Sequence, residues 1–331
     1  MEDAGTQATG GWGSARPDAP RKHGGYERLL AACRAHAPVR MAVVHPCSIE
    51  ALEAAFEARD EKLIVPVLIG PRARIEGLAQ QAGIDLGGIE IVATEHSHDS
   101  ADAAVAMVRS GGAAAMMKGS LHSDELLHAV LDKATGLRTE RRISHAFVLD
   151  VPNYPRPLMI TDAAVNIYPT LADKRDIVQN AIDLAHAIGN PAPRVAILSA
   201  VETVNPVITS TVDAAALCKM ADRGQITGGT LDGPLAFDNA VSPEAARIKE
   251  IHSDVAGRAD ILVVPDLEAG NMLVKQLTFL ADADSAGIVL GARVPIVFTS
   301  RADSVRNRLA SVALGVLLAQ RRASGSAGAA A

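Results

Sequence analysis

The sequence Ala-Ala-Ala-Met-Met-Lys-Gly-Ser-Leu-His-Ser-Asp-Glu-Leu-Leu-His-Ala-Val-Leu occupies residues 113–131. Its first five residues are apolar and predict a buried strand that ends at Lys118. Ser123 predicts the start of a helix, because serine is a preferred N-cap and the acidic residues after it favour the positive end of the helix dipole. A strand that leads directly into a helix with one apolar face is a βα unit. Such units are typical of parallel sheets covered by helices on both faces.

The same alternation runs along most of the chain and predicts the α/β class. Further strands are predicted at residues 40–45, 63–69, 89–92, 195–199, 261–264, 287–290 and 295–299. Residues 143–151 and 158–161 differ, because only a short proline-containing link joins these two predicted strands. They predict a hairpin and a domain boundary near residues 140–145. A chain of 331 residues is long enough for two domains.

The composition argues against several classes of protein. Acidic residues outnumber basic ones by 38 to 32 and both signs are interspersed, which argues against nucleic acid as a partner. No secretory signal and no apolar run of about 20 residues is visible, so no membrane association is expected. Three cysteines without metal-type spacing favour a reducing compartment, and a cytoplasmic protein is predicted. Residues 1–24 and 324–331 are of low complexity and are predicted to be disordered.

Residues 217–242 combine many glycines with acidic residues. Gly224 predicts the left-handed end of a helix. The glycines after it allow the backbone to approach another group closely, and Asp238 and Asn239 follow them. Because no phosphate-loop consensus is present, a ligand-binding loop and a plain surface loop between strands both stay open.

Polar residues also follow the predicted strands, and in open α/β sheets ligands bind beyond the carboxyl ends of strands. An anion site is predicted after residue 117, at Lys118, Gly119, Ser120 and His122. Backbone amides and a lysine between a strand and a helix suit an anion. The alternative is a tight turn with an exposed lysine, and a lone loop histidine is more often structural than catalytic.

A second polar loop follows the strand predicted at residues 261–264. Asp266, Asn271 and Lys275 are predicted to contact substrate. For Asp266 and Asn271 the alternative is to cap the next helix, which also carries Lys275. Asp266 and Glu268 have no third ligand at a suitable spacing, so no metal is expected.

The segment Ser300-Arg301-Ala302-Asp303 lies between the last predicted strand and a helix predicted at residues 304–321. Arg301 suits phosphate, because a planar guanidinium makes two parallel charged hydrogen bonds. Ser300 is able to donate to an oxyanion. Asp303 is either a base or a helix cap, with capping favoured.

The usual signatures of three other chemistries are absent from the sequence. No Gly-x-Ser-x-Gly elbow, no Gly-x-Gly-x-x-Gly after the first strand and no Cys/His cluster occurs. Serine-triad hydrolysis, hydride transfer and zinc chemistry are therefore not indicated.

Several blocks of sequence, in order and at matching spacing, resemble the phosphate acetyltransferase/phosphate butyryltransferase family, particularly its shorter butyryl-type branch. The resemblance runs from about residue 38 to 320 and rests on residues 117–122, 160–164, 176–181, 199–202, 231–239, 264–271 and 299–304. It implies exchange of a short acyl group between CoA and inorganic phosphate, in either direction. CoA and acyl phosphate are then substrates, and no bound cofactor is expected.

The resemblance also implies an architecture and a site. It implies two doubly wound α/β domains with an active-site cleft between them, similar to isocitrate and isopropylmalate dehydrogenases, and usually a homodimer. The last helix is expected to return to the first domain, so the domains are residues 25–142 plus 293–323, and residues 143–292. Ser300 is expected near the reacting thiol and carbonyl, and Arg301 at the phosphate or CoA.

Two positions depart from the family pattern. Asn307 stands where acetyl-type members carry an aspartate proposed as the base, which leaves Asp303 as the nearest acid. Arg109 is near the place of an early catalytic arginine but looks like an ordinary helix-end cation. Two alternatives stay open: an oxidative decarboxylase that uses a metal and NAD, and a non-catalytic protein that binds CoA or acyl phosphate. The preferred acyl chain is not determined.

Overall fold

The structure, a computed structural model, describes residues 24–298 and 303–329, with side chains described up to residue 324. These residues contribute eleven strands to one mixed sheet, in the order β3-β2-β1-β4-β11-β10-β5-β6-β9-β7-β8. The protein is thus α/β, as predicted. Within the described ranges, no helix is long and apolar enough to cross a bilayer.

One half of the sheet is parallel. Its strands are β1 (Val39–Val44), β2 (Ile64–Gly70), β3 (Glu90–Ala93), β4 (Ala115–Lys118) and β11 (Ile296–Val297). Each pairs with its neighbour in parallel, and the register places Val44 opposite Lys118 and Val297 opposite Met117. Their carboxyl ends therefore lie along one edge of the sheet.

The direction of the strands reverses in the middle of the sheet. The strands there are β5 (Ser144–Asp150), β6 (Leu158–Thr161) and β10 (Asp284–Leu290). β10 is antiparallel to both β11 and β5, and β5 is antiparallel to β6, which confirms the predicted hairpin. The remaining strands continue parallel to β6; they are β7 (Arg194–Leu198), β8 (Thr230–Leu235) and β9 (Ile261–Val263).

Helices cover both faces of the sheet. They are α1 (Gly24–Arg34), α2 (Ile49–Asp60), α3 (Arg72–Ala82), α4 (Ser97–Arg109), α5 (Ser123–Leu131), α6 (Leu171–Ala187), α7 (Thr209–Asp222), α8 (Phe237–Val241), α9 (Pro243–Ile248), α10 (Leu267–Leu280) and α11 (Val305–Ala329). Alternate strand residues enter different cores, since side chains of a strand point to opposite faces. Met41 and Val43 pack with α1, α2, α3 and α11, whereas Ala42 and Val44 pack with α4 and α5. Two further cores lie against the strands from β10 to β8. One is formed with α6, α7 and α11, and the other with α8, α9 and α10.

Three local predictions need correction. The loop predicted within residues 217–242 contains strand β8. It is an edge strand, where glycine and acidic residues are tolerated because one side needs no partner. His122, not Ser123, occupies the N-cap position of α5. The last helix continues to Ala329 and so exceeds its predicted end at residue 321.

Candidate active site

The Lys118 loop is built by close contact between two neighbouring strands. The amide of Gly119 donates to the carbonyl of Val44 over 2.9 Å, and the amide of Ser120 donates to that of His45 over 2.9 Å. A Cβ atom on Gly119 would lie 2.4 Å from the Val44 oxygen and 2.6 Å from the His45 oxygen. Only glycine fits there, since real Cβ atoms do not approach backbone that closely.

These bonds change which groups of the loop are able to hold an anion. The sequence suggested backbone amides as donors, but those of Gly119 and Ser120 already bind carbonyls. The Ser120 hydroxyl is buried and has no hydrogen-bond partner among the described residues. The Lys118 ammonium is half-buried and lies 3.4 Å from the Gly119 carbonyl. The Ser120 hydroxyl is thus the described polar group of this loop that lacks a partner, and Lys118 gives the loop its positive charge.

A histidine that the sequence analysis did not single out lies beside this loop. His45 follows β1 with a φ of 51°, a left-handed conformation that is uncommon for any residue other than glycine. Its Nδ1 lies 3.1 Å from the Ser100 hydroxyl, which donates its proton to the carbonyl of His96. In the tautomer that carries its proton on Nδ1, the ring donates to the Ser100 oxygen and Nε2 is an acceptor.

The electrostatic surroundings favour the neutral form of the His45 ring. Burial lowers its pKa, and the nearby positive charge of Arg74 lowers it further. The sequence feature that could have identified His45 is its position directly after a predicted strand, in the run His45-Pro46-Cys47-Ser48. Ser48, the last residue of this run, caps α2, because its hydroxyl accepts from the amide of Ala51.

His122 has a structural role in the described geometry. Its amide donates to the Glu125 carboxylate over 3.1 Å, and the residue is exposed at the start of α5. The Ser97 hydroxyl bonds the same carboxylate, which ties α4 to α5. This pattern agrees with the structural alternative considered for a lone histidine.

Ser300 and Arg301 lie outside the described residues. The chain leaves β11 beside β4 and is described again from Asp303, whose carbonyl accepts from Arg308. The side chain that caps α11 is that of Ser304, which accepts from the amide of Asn307 over 3.1 Å. This described cap lies one residue after Asp303, the position that the sequence analysis favoured.

Asn307 is buried and bound to the sheet. Its side-chain oxygen accepts from the backbone amide of Ser285 in β10 over 3.3 Å. An aspartate at this position would be equally able to accept that bond. The residue thus joins the first turn of α11 to the central strands.

A second set of polar residues surrounds the end of β6. Asp162 is buried and accepts from the amides of Ala164 and Val165 over 3.0 Å each and from the side chain of Asn166 over 2.6 Å. Burial raises the pKa of Asp162, while the hydrogen bonds oppose that effect. Asn166 also accepts from Arg142, which extends the network to the start of β5.

The loop after β9 packs against this set. Asp266 is the N-cap of α10 and accepts from the amide of Ala269 over 2.9 Å. Asn271 is inside the helix, and its side chain donates to the carbonyl of Ala163 over 3.2 Å. Lys275 is exposed two turns along α10. Of the two roles considered for Asp266, helix capping is the one observed.

Asp238 and Asn239 belong to a third polar cluster, at the ends of β7 and β8. Asn239 is fully buried and donates to Glu202 over 3.4 Å. Lys249 lies 3.3 Å from Glu202 and 3.8 Å from Asp238. The side-chain oxygen of Asn239 has no partner among the described residues.

The sheet separates these polar residues into two groups. The Lys118 loop and the end of β11 share one edge, whereas β6, β9, β7 and β8 run the opposite way and end at the other edge. Polar strand ends therefore occur at both edges of the sheet, because the strand direction reverses at β10 and β5.

Arg109 is a structural cation, as the sequence indicated. Its guanidinium donates to the carbonyls of Ala134 over 2.9 Å and Gly136 over 3.4 Å, and so holds the turn after α5.

Comparison with known proteins places the chain in a family. Residues 92–316 match the family model described as "Phosphate acetyl/butaryl transferase". A phosphate acetyltransferase of Rhizobium meliloti is 63% identical over 92% of this chain and 96% of that protein. A phosphate butyryltransferase of Clostridium beijerinckii is 40% identical over 89% of this chain and 98% of that protein.

A solved structure agrees with the sequence comparisons. The branched-chain phosphotransacylase of Enterococcus faecalis V583 superposes with a TM-score of 0.75 and 29% identity, over 85% of this chain and 99% of that one. Together with the mixed sheet, this likeness confirms the dehydrogenase-like α/β fold expected from the resemblance. The chain belongs to the phosphate acetyltransferase/phosphate butyryltransferase family.

Proposed function

We propose that the protein transfers a short acyl group between CoA and inorganic phosphate. One structural observation supports this function most directly. The carboxyl ends of β4 and β11 are paired neighbours, so the Lys118 loop and the chain segment that leads to Ser300 and Arg301 start from adjacent positions. A lysine and an arginine at one sheet edge suit a phosphate group.

The reaction requires a thiolate and stabilisation of negative charge. The CoA thiol gives its proton to a base, for which Asp303 is the proposed residue, and its sulfur attacks the carbonyl carbon of the acyl phosphate. The bond between that carbon and the phosphate oxygen then breaks. Negative charge then collects on the carbonyl oxygen and on the departing phosphate. Lys118 and Arg301 are the cations proposed to stabilise it, with Ser300 and the Ser120 hydroxyl as hydrogen-bond donors.

The protein's own cysteines support direct transfer in a ternary complex. Burial raises the pKa of Cys33 to about 12, and burial with nearby acids raises that of Cys218 to about 12. Burial also raises the pKa of Cys47. Since the thiolate is the nucleophile, none of these groups is suited to carry an acyl intermediate near neutral pH.

The test is phosphate-dependent release of free thiol from a series of acyl-CoAs. We expect Arg301→Ala to lower kcat/KM by about a hundredfold or more, the scale of a lost transition-state contact, without a change in unfolding midpoint. Arg72→Ala, at an exposed arginine on α3, is the control and should leave the rate unchanged. Tight CoA binding without turnover in the unaltered protein would instead identify a non-catalytic binding protein.

We also propose a division into two domains and a location in the cytoplasm. Residues 25–142 plus 293–323 form one domain, and residues 143–292 form the other. The boundary in the sheet therefore lies between β10 and β11. The cysteines at 33, 47 and 218 are free thiols, which suits a reducing cytoplasm.

We propose that two copies assemble through one face of α10. Met272 and Phe279 are exposed by 65% and 76%, and Glu268 and Lys275 lie on the same helical stripe at intervals of three and four residues. Isolated exposed apolar residues are common, but exposed apolar residues that share one helix face with charged residues are typical of an interaction surface.

The charges on this stripe favour a second copy as the partner. In a two-fold arrangement with antiparallel helices, Glu268 meets Lys275 of the partner subunit, and the reverse pair forms by symmetry. In this arrangement Phe279 lies beyond the N-terminus of α10 in the second copy. Ile167 and Tyr168, exposed by 60% and 74%, lie at that end, since the Leu267 amide donates to the Ile167 carbonyl. Lys275, expected from the sequence to contact substrate, is thereby assigned to assembly.

A further inference from the structure

A cavity of about 180 Å³ lies between two helices and the central strands. Residues of α1 and α11 line one side, and residues of β5 and β10 line the other. In the domain division proposed above, the helices belong to one domain and the strands to the other. The cavity therefore lies at the interface between the two domains.

The interior of the cavity is apolar. Its lining includes Leu29, Val148, Ala286, Ala310 and Leu317. An engineered apolar cavity of about 150 Å³ stays dry and binds benzene. By that measure this cavity has room for an aliphatic group of about four to six carbons.

A group of polar lining residues meets where Asp150 pairs with Asp284, and the exposed Arg28 also lines the cavity. Arg306 lies over the ring of Tyr26 at 4.0 Å, and its Nε donates to Asp284 over 2.9 Å. Asn307 and Asp150 also belong to this group, the polar end of the cavity, and Asp150 accepts from the amide of Gly25 over 2.8 Å. An apolar interior with fixed polar groups at one end suits a molecule with an aliphatic tail and a polar head.

The polar end faces the same sheet edge as the Lys118 loop. β5 runs in the same direction as β4 and β11, because β10 is antiparallel to both β11 and β5. Asp150 ends β5, and Lys118 ends β4. The α11 residues that line the cavity are also close to the proposed site in the sequence, since Arg306 and Asn307 follow Arg301 within six residues.

We infer that the aliphatic part of the acyl group enters this cavity and that its lining sets the acyl chain length. This inference rests on the proposed function and extends it to the substrate class. Straight or branched acyl groups whose aliphatic tail has no more than about six carbons place that tail among Leu29, Val148 and Ala310. The thioester carbonyl then lies at the polar end.

The experiment measures kcat/KM for acetyl-, butyryl-, isovaleryl- and octanoyl-CoA with phosphate. Ala310→Leu fills the cavity, and we expect the ratio of butyryl to acetyl activity to fall by about tenfold, the low end of what one or two methylenes cost in an apolar pocket. Leu29→Ala enlarges the cavity and should raise the ratio of octanoyl to butyryl activity by at least about threefold. The two variants shift the profile in opposite directions, so loss of folding in one does not remove the test.

Leu78→Ala is the matched control. Leu78 is a half-buried leucine that packs on the same core as Leu29 but does not line the cavity. We expect it to keep the chain-length ratios of the unaltered protein. The inference is overturned if the unaltered protein uses acetyl-CoA alone, or if Ala310→Leu and Leu29→Ala leave the ratios unchanged. Absence of thiol release from every acyl-CoA would contradict the proposed function itself.

Discussion

Gly119 holds the Lys118 loop against β1, and its replacement tests that contact. Because a Cβ atom would lie 2.4 Å from the Val44 oxygen, Gly119→Ala must displace the backbone of one strand. We expect a loss of about 1–3 kcal/mol in the free energy of unfolding, as for other overpacked sites, together with lower transfer activity. Urea unfolding and kcat/KM measure the two effects.

Gly77 provides the comparison for this variant. It lies inside α3, and a Cβ atom at this position would have no neighbouring atom within 4 Å. Gly77→Ala should therefore raise stability by about 0.5–1 kcal/mol, because alanine loses less backbone entropy in a helix. Equal behaviour of the two variants would show that the close approach at Gly119 is unimportant.

His145 makes stability depend on pH. It is buried beside Phe147, and burial lowers its pKa to about 3. The unfolded chain has a histidine pKa near about 6.5. Between these values the unfolded state binds a proton that the folded state does not, so the contribution of His145 to stability falls as the pH falls from about 6.5 towards 3.

The variant His145→Asn removes this titration. We measure the free energy of unfolding in urea for both proteins between pH 6 and 4. As the pH falls, this free energy should fall by about 1.4 kcal/mol per pH unit more in the unaltered protein than in the variant. His36→Asn, at an exposed histidine, should follow the unaltered protein. Parallel curves for the unaltered protein and His145→Asn would contradict burial of a neutral ring.

Among the connecting elements, the loop after β6 depends on one buried carboxylate. Asp162→Ala would leave the amides of Ala164, Val165 and Asn166 without their acceptor. Each unpaired buried group costs about 1–3 kcal/mol, so we expect a loss of about 3–5 kcal/mol, since relaxation and water recover part of the sum.

Asp132→Ala is the matched control for this loop. Asp132 also accepts from two backbone amides, those of Ala134 and Thr135, but it lies in an exposed turn where water replaces it. We expect a loss of less than about 1 kcal/mol in the same urea titration. Similar losses in both variants would mean that burial of Asp162 does not decide its contribution.

For the whole molecule, exchange of charges tests the proposed assembly through α10. Glu268→Lys places like charges opposite each other at both symmetric positions, and we expect the dissociation constant of the dimer to rise at least about tenfold. The double variant Glu268→Lys with Lys275→Glu restores opposite charges and should restore the dimer. Sedimentation velocity over a concentration series measures both.

Two further variants separate this face from other exposed apolar positions. Phe279→Glu should give a monomer, whereas Val207→Glu, at a residue 88% exposed outside α10, should leave the dimer intact. A monomeric unaltered protein, or a charge exchange that does not restore association, would exclude the α10 arrangement.

Local sequence patterns were sufficient for much of the fold. Apolar runs predicted β1, β2 and β4, and the short link after residue 151 predicted the β5–β6 hairpin, because strand formation and tight turns depend on neighbouring residues. β8 was missed, since Gly233 and Asp232 do not resemble a strand unless its edge position is known. The resemblance identified the family, which the comparisons confirmed.

The order of residues alone was enough to predict the βα units, the family and the polar residues at strand ends. It was not enough to predict which edge each strand end occupies, because the reversal at β10 and β5 depends on pairing between residues far apart in the chain. The same holds for the amides of Gly119 and Ser120, which bind carbonyls, and for Asn307, which binds β10. The periodicity of apolar residues in the sequence indicates whether a side chain is buried. Its hydrogen-bond partner depends on how distant segments of the chain pack together.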